Sequence, residues 1–318
     1  MSTTAMLPWQ TAQWNSLAQR AEWSSLPHAL LLAGAQGLGK RAFAEAFVHA
    51  RLCQHPRSGH GCGHCKACAL LQAGTHPDRM LVTFEVNEKT GKLRTELIVE
   101  QIRLLSARLA MASQLGGWQI AVIDPADAMN PAAANALLKT LEEPTASSLI
   151  VLIADQPWRL PATIRSRCQR VDFAAPSRDE AEAWLREQGV RDAKHALDAA
   201  GGNPGRALAF AQGDKLQRRE SVAKDLLALA RGRASTCHIA HAWSADEPLA
   251  RLEHAARLLH EAARARAEGA RGEFDPQWDI GTLHAGFGCV NRLRELLRGP
   301  LRAEPALIEC LAAFGRAS

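Results

Sequence analysis

The stretch GAQGLGKR, residues 34–41, has all but one of the residues of a phosphate-binding loop. Such a loop needs Gly, four residues, then Gly-Lys and a Ser or Thr, because backbone amides and the lysine cradle phosphates while the hydroxyl holds magnesium. Gly34, Gly39 and Lys40 are in place, and Lys40 is positioned to meet a β- or γ-phosphate. Arg41 stands where the hydroxyl belongs. A guanidinium ~4 Å from a divalent ion costs several kcal/mol even at an effective dielectric of about 20, and the lost oxygen ligand is not recovered. The acid that such sites place at the end of a neighbouring strand falls at Asp124, in IAVIDPAD (120–127). Where a hydrolytic motor needs a base beside that acid to direct water, this chain has Pro125. Asp127 lies too far along to substitute and points elsewhere. These two defects argue against hydrolysis by this chain, leave ATP binding doubtful, and assign the loop the role of a structural turn.

A second group, CQHPRSGHGCGHCKAC, places Cys53, Cys62, Cys65 and Cys68 with eight, two and two residues between them. Overlapping C-x-x-C hooks plus one more thiolate complete a tetrahedral four-sulfur site, the closed geometry of structural zinc. Arg57, Lys66 and the nearby histidines offset the negative charge of four thiolates. His55, His60 and His64 are substitute ligands that four cysteines do not require. Reduced thiols on a loop, or a redox C-x-x-C at a helix start in a smaller βαβ fold, are the alternatives; the paired hooks favour structural Zn2+. Cys168, Cys237, Cys289 and Cys310 are scattered and read as small buried hydrophobes.

These residues need a frame. HALLLAG (28–34) followed by KRAFAEAFVHARLC (40–53) reads as strand, glycine-rich turn and helix, the context a phosphate loop requires. MLVTFEV (80–86), WQIAVID (118–124), SLIVLIAD (148–155) and QRVDF (169–173) are further strands, and ELIVEQIRLLSARLAMAS (96–113) has helical periodicity. NPAAANALLKTLEEP (130–144) is a punctuated helix: Asn130 caps it, Pro131 fits its first turn and Pro144 stops it. Continuous apolar strands alternating with amphipathic helices predict an α/β domain with a parallel sheet covered on both faces. After AAPS (174–177) the patterns are helical only, broken at AAGGNPG (199–205) and near GEFDPQW (272–278). The expected organisation is an α/β P-loop domain over 1–174 with the four-cysteine insert at 53–68, a small helical lid over 175–213, and a helical bundle over 214–318.

The 318 residues suffice for two or three domains with real cores. A hydrophobic share of 47% and a charged share of 22% describe an ordinary globular chain, and a formal charge of +5 allows nucleic acid nearby without requiring it. No apolar run reaches membrane-spanning length, and MSTTAMLPWQ lacks the layout of an export signal, so a cytoplasmic location is expected.

Several stretches together resemble one family. LPHALLLAGAQGLGKR, the cysteine insert, QAGTHPD (72–78), NALLKTLEEP (135–144) and TIRSRC (163–168) come in the order and spacing of the bacterial clamp-loader subunits of the AAA+ class, most nearly those of the delta prime type in DNA polymerase III. The likeness spans roughly residues 1–175; beyond them only GGNPGRALAF (201–210) carries a signal. Competent motors of this family have Thr after the lysine and an acidic pair at the strand end, which Arg41 and Pro125 replace here. The motors' sensing arginine is displaced by one position at Arg206, so that role is not carried over, and the family's polar residue after the fourth strand would fall near Ala154-Asp155, a departure that further weakens the site.

What the resemblance leaves intact is SRC, whose arginine projects in this family into the ATP site of the adjacent subunit. Arg167 matches it and is the implied finger, acting in trans; Arg165 faces the other way if this stretch is extended. The resemblance implies a hetero-oligomeric loader that places a sliding clamp on primed DNA in replication. It further implies ATP-hydrolysing subunits and a delta subunit as partners, a C-terminal collar, and no membrane. The holoenzyme served would be a DNA-directed DNA polymerase, a nucleotidyltransferase. An active motor subunit of the same loader is the first rival. A zinc-bearing nucleic-acid adapter on an inherited fold is the second, and a P-loop kinase a distant third.

Overall fold

The short apolar runs assemble into one parallel sheet in the computed structural model, which describes residues 6–18, 26–57, 59–88, 90–212, 215–270, 272, 274–297, 299 and 301–314. Strands β1 (Ala29–Ala33), β2 (Arg79–Val82), β3 (Gln119–Ile123), β4 (Ser148–Ala154) and β5 (Gln169–Asp172) lie in the order β2-β3-β4-β1-β5, every neighbouring pair parallel. Parallel neighbours require crossovers. The helices preceding and linking the strands are α1 (Thr11–Ala18), α2 (Lys40–Leu52), α3 (Lys66–Gln72), α4 (Val99–Leu109), α5 (Pro131–Glu142) and α6 (Ala162–Arg165).

Successive strand residues face opposite sides, and the core divides accordingly. Leu30 and Leu32 join Trp14 of α1 and Phe43 and Phe47 of α2 on one face. Ala29, Leu31 and Ala33 join Ile102 and Leu105 of α4 and Leu137 and Leu141 of α5 on the other. Both faces are covered, as uninterrupted apolar strands demand.

Two elements differ from expectation. The run at 80–86 stays in the sheet only as far as Val82, whose carbonyl accepts the Asp124 N–H at 2.9 Å. Beyond it Val86 bridges Leu93 in an antiparallel pair. TIRSRC is not extended: Pro161 precedes one helical turn, α6, whose Arg165 N–H reaches the Pro161 carbonyl at 3.2 Å. The alternation that would have turned Arg165 opposite to Arg167 therefore does not apply. Helix α5 follows its punctuation closely. The Asn130 side chain accepts the Ala133 N–H at 2.9 Å, and the helix ends at Glu142, two residues before Pro144.

Beyond Phe173 the described elements are helices: α7 (Arg178–Glu187), α8 (Ala193–Ala199), α9 (Pro204–Ala211), α10 (Lys215–Ala230), α11 (Thr236–Ala245), α12 (Pro248–Ala267), α13 (Ile280–Leu296) and α14 (Ala303–Ala312). The chain divides into two compact units, Met1–Leu208 and Ala209–Ser318. The second unit is built on Trp243, Leu252, Leu259, Leu283 and Phe314, and the Trp243 indole N–H donates to Asp225 at 2.9 Å. Of the four scattered cysteines Cys310 is buried as expected, whereas Cys237 is exposed near the start of α11. The domain boundary expected at 213/214 and the first five residues lie outside the described residues. Among the described residues no helix is long and apolar enough to cross a membrane.

Candidate functional site

Strand β1 delivers the chain to Gly34, and α2 begins at Lys40, so the loop between them presents its amides at a helix N-terminus, where anions are favoured. Gly37 and Gly39 take φ of +90° and +82°, a region that side chains other than glycine rarely adopt. The backbone is thus that of a phosphate cradle. Its cations, however, are engaged within the chain. The Lys40 ammonium donates to the carbonyls of Gly34 and Ala35 at 2.7 and 2.8 Å and pairs with Asp155 at 2.6 Å. Only 1% of that side chain is exposed. Burial lowers the Lys40 pKa, and Asp155 works against the shift.

Arg41 closes the second half. Its Nε and Nη2 donate to the two oxygens of Asp124 at 2.7 and 2.8 Å, a bidentate fork, and Nη2 also reaches Asp155 at 3.4 Å. Burial opposes the charge on Arg41, but Asp124 and Asp155 together outweigh it and hold the pKa above its ordinary value. A divalent ion at Asp124 would share a carboxylate with this guanidinium, a repulsion of about 8 kcal/mol at 4 Å and an effective dielectric of 20. Asp127, as expected, points elsewhere: its carboxylate accepts the backbone N–H groups of Asp155 and Gln156 at 3.4 and 2.9 Å.

Two further contacts hold the loop. The Asn203 side chain, at the start of α9, donates to the Gln36 carbonyl at 2.7 Å and accepts the Arg206 N–H at 3.0 Å. A Cβ on Gly37 would stand 2.5 Å from that Asn203 oxygen. From the N-terminal side, the Gln10 amide donates to the Leu38 carbonyl at 3.0 Å.

Arg167 has different company. Its Nη1 donates to the Thr163 carbonyl at 2.9 Å, and its Nη2 pairs with Glu142, the last residue of α5, at 2.7 Å. The two side chains are 36% and 50% exposed. None of the loop residues is among these partners, so the phosphate loop and Arg167 are separate sites on this chain.

The four cysteines do converge. Sγ atoms of Cys53, Cys62, Cys65 and Cys68 all lie within 4.8 Å of one another, with Cys53–Cys65 at 3.8 Å and Cys62–Cys68 at 4.0 Å. A tetrahedron with zinc–sulfur bonds of about 2.3 Å has edges of about 3.8 Å, so the donor set fits the ion. The N–H groups of Cys62 and His55 point at Cys53 Sγ, and that of Cys68 at Cys65 Sγ, at 3.2 to 3.4 Å. Burial raises the Cys65 thiol, yet the N–H groups of Cys68 and Gln54 and the adjoining thiols hold it at about 6. Burial pushes Cys68 up to about 12, so without a cation the four sulfurs do not ionise together. His64 instead contacts the Cys62 carbonyl, and His60 stacks on Trp14 with ring centroids 4.6 Å apart.

Asp155 is the residue whose role the sequence alone missed. Its signal is register: Ala33 pairs with Ala154, so whatever follows Ala154 stands beside Gly34 and faces Lys40.

The chain matches the family described as DNA polymerase III, delta subunit, over residues 9–177. It is 37% identical over 241 residues to DNA polymerase III subunit delta' of Pseudomonas aeruginosa, covering 74% of this chain and 71% of that protein. It is 36% identical over 267 residues to DNA polymerase III subunit delta' of Escherichia coli, covering 83% and 77%. DNA polymerase III subunit tau of Bacillus subtilis is 32% identical over 159 residues, 50% of this chain but 26% of the longer protein.

Proposed function

We propose that this chain, which belongs to the delta prime family of DNA polymerase III subunits, completes the ATP site of an adjacent clamp-loader subunit with Arg167. The loader so formed would place a sliding clamp on primed DNA, with the delta subunit and the ATP-hydrolysing subunits as partners. The helices over 214–318 are assigned to the collar by their position in the chain, and those over 175–213 to a lid.

The observation that carries this reading is a contrast within one molecule. Lys40 and Arg41 are tied to the acids beside their own phosphate loop, whereas Arg167, two residues past the end of α6, is held by one half-exposed carboxylate and a carbonyl. Arginine is suited to a finger: it is permanently charged, and its planar fork matches γ-phosphate oxygens. The exposed pair with Glu142 does not hold it back, since such pairs contribute about 0–1 kcal/mol. Moving from Glu142 to a triphosphate exchanges one carboxylate for a more highly charged anion. The cysteine insert would hold one structural zinc and take no part in the reaction, because four thiolates leave no open coordination position.

The test is reconstitution with the ATP-hydrolysing subunits. Arg167→Ala should leave folding and assembly intact and depress hydrolysis at the served site by about 10³-fold or more, the range of arginine fingers. Turnover in the mutant complex equal to that of wild type removes the proposal. The motor rival fails if the isolated chain does not hydrolyse ATP, an outcome Arg41 and Pro125 favour. The adapter rival requires tight, steeply salt-dependent DNA binding by the chain alone.

A further inference from the structure

We infer that Arg41 is a resident substitute for the divalent cation of the phosphate loop, and that this single side chain is what keeps a magnesium–nucleoside triphosphate out of an otherwise retained binding site. The guanidinium binds the acid a metal would bind. Asp124 lies one residue past the end of β3, and both of its oxygens are taken by the Arg41 fork at 2.7 and 2.8 Å. The same guanidinium reaches Asp155, one residue past the end of β4, at 3.4 Å. One cation thus ties together the ends of two strands and the first turn of α2, as a metal bridging the same groups would do.

The loop and its lysine are intact. Lys40 is present, and its ammonium rests on the Gly34 and Ala35 carbonyls and Asp155, partners that phosphate oxygens can replace. The loop keeps its glycines, with Gly37 and Gly39 at positive φ, and runs into a helix of 13 residues whose N-terminal amides favour an anion. What is missing is a hydroxyl for the metal, and what is added is a positive charge at the metal's place. Both differences reside in residue 41. What sets this pair apart is its place: it takes both oxygens of the acid ending β3 and shares a second acid, Asp155, with the loop lysine.

This inference does not depend on Arg167, and its test leaves that residue untouched. The full-length chain is titrated with the N-methylanthraniloyl derivative of ATP, with magnesium and again with EDTA. Wild type should give no saturable binding in either condition. Arg41→Thr, which removes the guanidinium and restores a hydroxyl, should saturate at nucleotide concentrations at least tenfold below the highest at which wild type still shows none, and the gain should vanish in EDTA. Magnesium-dependent binding by wild type as tight as that of the variant overturns the inference. So does absence of binding by an Arg41→Thr chain that melts as cooperatively as wild type. If Arg41→Thr does not fold, Arg41→Gln carries the same test, since it removes the charge at nearly unchanged length. A tenfold gain in magnesium then supports the inference, and no gain overturns it.

Discussion

The phosphate loop and the turn carrying Arg167 both present cations suited to phosphate, yet they are held to different degrees. Lys40 has three partners and is 1% exposed, whereas Arg167 has a carbonyl and one half-exposed carboxylate. The chemistry of the side chain is therefore a poor guide to its use. The number of internal partners, and how far they are shielded from water, separates a cation committed to the fold from one that can serve another molecule. A third region shows the converse: four sulfur ligands crowd together in a set that a cation from outside would fit.

Three changes would break or sharpen this contrast. The largest effect is expected at the sulfurs. Native mass spectrometry should find one zinc per chain, and Cys65→Ser should release it, abolishing a binding free energy that in small zinc domains is about 10–16 kcal/mol. A chain that is metal-free as isolated, or a Cys65→Ser chain that retains its metal, would break the contrast. Next comes Asp155→Ala, which leaves the buried Lys40 ammonium with carbonyls alone. Because Asp155 is 20% exposed, the cost should sit at the low end for a broken buried pair, about 3 kcal/mol, read from urea denaturation. An unchanged midpoint would mean that the loop lysine is not held as described. Smallest is Glu142→Gln, which should move stability by about 1 kcal/mol or less and leave ATP turnover in the reconstituted complex undiminished. A large loss of stability there would make Arg167 a structural residue after all.

How much of this was legible beforehand follows the distance over which each feature is encoded. The helix at 131–142 could be read because its cap, first-turn proline and stop all lie within its own residues. The cysteine group was legible for the same reason, its three later members lying close together at 62, 65 and 68. The fate of Arg41 was not. Repulsion of a metal follows from residue type, but the pairing with Asp124 and Asp155 depends on strands 83 and 114 residues away arriving side by side. Sheet register decides that, and it is set by the whole core. The partner of Arg167 was hidden likewise, since Glu142 reaches it only because α6 forms a helical turn against the end of α5.

The stack of His60 on Trp14 has a consequence beyond the insert. Trp14 packs edge-on against Phe43 and Phe47, which line the core face of α2, so the loop bearing the sulfurs leans directly on the hydrophobic interior. Collapse of that loop would withdraw support from the aromatic cluster behind it. Were the four sulfurs to hold zinc and then lose it, the heat tolerance of the whole sheet domain would fall through its interior before any reacting group had changed.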